Sequence, residues 1–107
     1  MPYLITTSMY PSDRNAEVAE KYLEAMQRFP PDESLETEVV PAAVKSTHDG
    51  LKITMISEVK EGKFEEAYNR RVKFMIPFQA IPGFEYTIDV NMTVVEALGV
   101  LGISPVE

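Results

Sequence analysis

The spacing of apolar positions along this chain switches between two residues and about 3.6, and each switch marks a change of element. The run YLITTSMY, Tyr3 to Tyr10, is rich in β-branched and aromatic residues. It sets Tyr3, Ile5, Thr7 and Met9 on one face and Leu4, Thr6, Ser8 and Tyr10 on the other, which predicts a strand. Pro11 stops that ladder, and Ser12 or Asp13 is placed to cap a helix. Val18, Tyr22, Met26 and Phe29 then recur at helical spacing, with Ala19 widening the stripe. Pro30 and Pro31 end this helix, because the residue before a proline is pushed out of the helical region and proline has no N–H to give.

After the polar loop PPDES, the run LETEVVPAAVKST reads as extended. Pro41 in its middle cannot donate to a ladder, so this second strand belongs at a sheet edge or carries a bulge. His48, Asp49 and Gly50 make a turn, and LKITMISEV follows with Leu51, Ile53 and Met55 facing one way and Lys52, Thr54, Ile56 and Glu58 the other. Together these two strands form a hairpin. A second helix runs from about Lys63 to Met75 on a stripe of Phe64, Ala67 or Tyr68, Val72 and Met75, and Pro77 closes it.

A Pro82–Gly83 turn leads into the clearest alternation of the chain, with Phe84, Tyr86, Ile88 and Val90 set against Glu85, Thr87 and Asp89. Thr93 and Glu96 fit a capping box in front of VVEALGVLG, so a short third helix follows, with Gly102 as its stop. The order βαββαβ, with right-handed crossovers, implies an α+β, ferredoxin-like domain: a four-stranded antiparallel sheet with two helices on one face, plus the short carboxy-terminal helix. The opposite face of the sheet is then left open. It is expected to carry Thr6, Ser8, Tyr10, Thr54, Ile56, Glu58, Glu85, Thr87 and Asp89.

Composition narrows the functional classes. The 107 residues form one domain, since no linker-like segment divides them. Seventeen acidic residues against ten basic ones give a formal charge of -7, with the basic groups scattered apart from Arg70, Arg71 and Lys73; this argues against nucleic acid and anionic membranes as partners. With no cysteine there is no disulfide, thiolate zinc site or iron–sulfur cluster. The amino end lacks the features of a secretory signal, and no run reaches the roughly eighteen apolar residues of a membrane span. The expectation is a cytoplasmic protein with no metal and no cofactor.

The βαββαβ order, the entry of IPGFEYTIDV into the last strand and the short terminal helix resemble the dimeric α/β-barrel superfamily, and within it the small monooxygenase-like members. That resemblance implies a homodimer in which two ferredoxin-like protomers bring their open sheet faces together. It also implies a small, partly apolar molecule in the inter-sheet cavity, with cofactor-free oxygenase or isomerase chemistry as one expectation. The other expectation is a non-catalytic module that senses a metabolite or serves to oligomerise.

The ligand-lining candidates are Thr6, Ser8, Tyr10, Thr54, Ile56 and Thr87, because hydroxyls orient a small molecule without the cost of burying charge. The catalytic candidates are Tyr10, to orient a substrate, and Glu58 or Glu85, to move a proton. As ordinary residues, the carboxylates would be solvated or paired with Lys52 and Lys60. His48 is the only histidine; it reads first as a turn residue, and one histidine cannot make a His-rich metal site. For Arg70 and Arg71 the expectation is one solvated guanidinium and one whose stem covers the sheet edge.

Overall fold

The computed structural model describes residues 1–103. The elements are β1 (Tyr3–Tyr10), α1 (Asn15–Arg28), β2 (Glu36–Thr47), β3 (Gly50–Val59), α2 (Phe64–Met75), β4 (Glu85–Asn91) and α3 (Val94–Val100), with 3-10 turns over Ser12–Arg14 and Ile76–Ala80. The four strands form one sheet in the order β2-β3-β1-β4, each neighbouring pair antiparallel. This is the α+β architecture of a ferredoxin-like fold. β2 lies at an edge, and its register slips between Glu38 and Val40 and between Val40 and Ala43, next to Pro41, which has no N–H for the ladder.

Two local expectations meet different outcomes. The capping box of α3 is present: the Thr93 hydroxyl accepts from the Glu96 amide, and the Glu96 carboxylate accepts from the Thr93 amide. Neither Ser12 nor Asp13 caps α1, however. Both lie in the 3-10 turn that leads into it, where the Arg14 amide donates to the Pro11 carbonyl, and Arg14 occupies the cap position without a side-chain bond to the helix amides.

α1 and α2 both pack on one face of the sheet. Tyr10, Val18, Ala25, Met55, Phe74, Met75, Phe78 and Ile81 make one buried cluster, and Leu4, Leu35, Val59 and Ala67 a second. The Phe74, Phe78, Phe84 and Tyr10 rings form a stacked series with centroids 5.1–6.1 Å apart, close enough for aromatic contacts to add to simple burial. By contrast α3 buries none of its residues.

His48 and Asp49 form the tip of the β2–β3 hairpin, both exposed. Gly50 carries the turn, with φ of +132°, and a Cβ there would lie 2.1 Å from the Tyr10 carbonyl oxygen. Only glycine lets the hairpin close against the end of β1.

Candidate functional site

Strand pairing decides which residues share the open face. In β3, Met55, Ser57 and Val59 are buried under the helices, which leaves Lys52, Thr54, Ile56 and Glu58 on the far side. In β4, Glu85, Thr87 and Asp89 share that side. These residues stand on the face expected for them.

β1 does not. Leu4, Thr6, Ser8 and Tyr10 are its buried positions. They lie opposite Ser57, Met55, Ile53 and Leu51 of β3, and residues directly opposite in a ladder share a face. Thr6, Ser8 and Tyr10 therefore point toward the helices, and Tyr3, Ile5, Thr7 and Met9 take the open face. The expectation for β1 is overturned by one residue of phase, which moves every side chain of a strand to the other side.

The register arranges the open face in four rows. Reading from β2 to β4, they are Thr37, Glu58, Tyr3, Asn91; Val40, Ile56, Ile5, Asp89; Ala43, Thr54, Thr7, Thr87; and Lys45, Lys52, Met9, Glu85. A row with two isoleucines at its centre lies beside a row of threonines. Where the last two rows meet β4, a shallow hollow of about 240 Å³ opens over Thr7, Met9, Glu85 and Thr87. The Thr87 hydroxyl, beside it, donates to Asp89 at 3.0 Å.

The catalytic candidates are not brought together. Glu58 pairs with Tyr3 and Glu85 with Met9, so six residues of β1, about 20 Å at the rise of a strand, separate the two carboxylates. Tyr10 lies on the opposite face, 3% exposed; its hydroxyl donates to Asn15 Oδ1 at 2.9 Å, and burial raises its pKa. Proton transfer among these three groups within one chain has no geometry here. Among the described residues no three His, Cys, Asp or Glu side chains gather as a metal site.

A buried ionic cluster lies beneath α2 instead, where the sequence pattern predicts one solvated guanidinium and one arginine stem at the sheet edge. Glu36, 3% exposed, accepts from Arg70 Nη1 at 3.2 Å and from Arg71 Nη2 at 3.4 Å on one oxygen, and from the Ser57 hydroxyl at 3.1 Å on the other. Arg71 is 5% exposed and sits 5.2 Å over the Phe74 ring. Desolvation lowers its pKa, and neighbouring Arg70 adds to that, while Glu36 and Glu38 act against it. Arg70 Nη2 donates to the carbonyls of Phe29 and Pro30, both at 2.6 Å, and so ties the end of α1 to α2 and β2.

Neither arginine is solvated on the helix surface; together they cross-link three elements. An exposed pattern of two adjacent arginines carries no sign of this. The signal was Glu36, an acid at the mouth of an apolar strand, 34 residues before Arg70. Outside the cluster, an open cleft of about 610 Å³ is walled by Arg28, Arg70 and the Phe29–Glu33 loop. Asp32 and Glu33 put negative charge on its rim, which opposes an anion there.

Comparison with protein-family models, with curated proteins and with solved structures finds no match. No helix among the described residues is long and apolar enough to cross a membrane.

Proposed function

We propose that the chain is a non-catalytic binding protein that works as a homodimer, joined across the open sheet faces as in a dimeric α/β barrel, with a small, partly apolar molecule held between the sheets. The observation that carries this reading is the order of residues in the four rows. A two-fold axis parallel to the strands lays each row over its own reverse, as an isologous interface requires. Ile5 then meets the partner's Ile56, Lys45 meets the partner's Glu85, and Glu58 meets the hydroxyl end of the partner's Tyr3. Apolar residues fall at the centre and charges of opposite sign at the rim.

The same operation sets the hollow at Thr7 and Thr87 opposite the partner's Thr54 and Ala43. Hydroxyls from both protomers would orient a ligand there, and Ile5 and Ile56 would wall its apolar part. Binding is favoured over turnover because Tyr10 stands on the other side of the sheet from Glu58 and Glu85.

Sedimentation equilibrium tests the reading. Wild type is expected to be dimeric at micromolar concentration. Lys45→Glu is expected to weaken the dimer, and Lys45→Glu with Glu85→Lys to restore it. Native mass spectrometry of the dimer reads a retained small molecule. A wild-type monomer at micromolar concentration, or a double variant no tighter than the single, removes the proposal.

A further inference from the structure

A second cleft lies on the covered side of the sheet, between α1 and the far half of the β2–β3 hairpin. It measures about 210 Å³. Val18, Ala19 and Tyr22 of α1 form one wall, Ala42 and Val44 of β2 the other, and Ile53 of β3 the floor. Val44 is 63% exposed, so this apolar wall stands uncovered. Tyr10 and Asn15 close one end.

We propose that this cleft binds one uncharged, single-ring aromatic molecule bearing a hydroxyl, a ligand of the phenol class. The size fits: an apolar cavity of about 150 Å³ takes up benzene, and the extra volume here admits a substituent. No acidic or basic side chain lines the cleft, so an ionised ligand would lose its hydration without a counter-charge. The polar end sets the hydroxyl. The Tyr10 proton is already given to Asn15 Oδ1, which leaves the Tyr10 oxygen as an acceptor and the Asn15 amide nitrogen as a donor. A ligand O–H gives its proton to the first and accepts from the second, while Tyr22 and Val18 flank its ring.

The site belongs to each protomer and lies on the opposite side of the sheet from the dimer face proposed above, so it stands or falls separately. The experiment is a ¹H–¹⁵N NMR titration of the full chain with phenol, toluene and benzoate. Phenol is expected to give saturable shifts at Val18, Ala19, Tyr22, Val44 and Ile53, with a Kd at least tenfold lower than that of benzoate. Tyr10→Phe is expected to cut the advantage of phenol over toluene about fivefold, the value of one hydrogen bond, and to leave toluene binding unchanged. Ala42→Trp, which fills the cleft, is expected to weaken phenol at least tenfold; should it not fold, Ala19→Phe fills the same space from the exposed side of α1.

Shifts that do not saturate overturn the proposal, as does benzoate binding as tightly as phenol, or undiminished binding in a folded filled variant. If Val44→Asp alters the oligomeric state and phenol gives no saturable shift, the cleft is a contact between copies and the proposal is likewise overturned.

Discussion

Beneath α1 and α2 the sheet holds Thr6, Ser8, Ser57 and Glu36, all buried, whereas the face that no helix covers carries Tyr3, Ile5, Met9, Val40 and Ile56. On the covered face the strands share the apolar weight, with Leu4, Tyr10, Met55 and Val59 as their part of it. Helices α1 and α2, the 3-10 turn after α2 and the Phe84 loop bring Val18, Ala25, Phe74, Phe78 and Ile81 onto it, so the strands beneath can keep small hydroxyls and one ion cluster. The uncovered face has only its own strands to supply apolar surface. Its isoleucines are what the proposed dimer would cover, since a solvated antiparallel face ordinarily carries polar side chains.

The largest expected effect comes from the covered face. Glu36→Ala leaves two guanidinium groups, one of them nearly inaccessible, without their carboxylate. The expected loss is about 3–5 kcal/mol, the usual result of removing one partner from a buried pair, read as a lower urea midpoint. Replacing the pair together, Glu36→Leu with Arg71→Met, should recover most of it. An unchanged midpoint in the single variant would show that the cluster does not hold α2 to the sheet.

The uncovered face should answer in association instead. Ile56→Lys is expected to raise the dimer dissociation constant by about tenfold or more, as for a residue near the centre of an interface. Because Ile56 contributes little to the helix-covered core, the melting temperature of the dissociated protomer should stay nearly the same. A large fall in protomer stability with no change in association would reverse the comparison between the faces.

A smaller effect sharpens it. Thr6 is 1% exposed, and among the described residues its hydroxyl has no hydrogen-bond partner. Thr6→Val keeps the shape and removes the unpaired oxygen, so a gain of about 1 kcal/mol is expected in chemical denaturation. A loss of similar size would mean that a partner for the hydroxyl exists after all.

The smallest effect concerns α3, none of whose residues is buried. The Glu96 carboxyl is held below its ordinary pKa by the Met1 ammonium, 2.8 Å away, and by the Thr93 amide. A depressed carboxyl pKa stabilises the folded form above the unfolded value, and that contribution fades as pH falls through the folded value. Exposure and salt keep it small. Hydrogen exchange of the α3 amides should therefore speed up more below about pH 4 than that of α1, and Glu96→Gln should remove the difference.

Much of this architecture was legible beforehand. Pro41 marked β2 as an edge, Asp49–Gly50 marked the hairpin, and Thr93 with Glu96 marked the start of α3, each because the backbone at that point admits few residues. The faces of β3 and β4 were legible for another reason: their alternate positions differ sharply in polarity, as with Ile53 against Thr54 or Tyr86 against Glu85. The expectation that His48 is a turn residue agrees with its exposed place at the hairpin tip.

What the sequence alone determined, then, is the order of elements and the facing of β3 and β4, whose two sides differ in polarity. The start of α1 was set instead by a 3-10 turn that neither Ser12 nor Asp13 announces. Only the tertiary structure decided β1, whose alternate sets Leu4, Thr6, Ser8, Tyr10 and Tyr3, Ile5, Thr7, Met9 are matched in polarity, so that pairing with Met55 and Ile53 had to break the tie. It also decided the Glu36–Arg70–Arg71 cluster and the cleft at Tyr10. These join residues far apart in the chain, and pattern within a segment carries no information about partners that meet only when the helices close over the sheet.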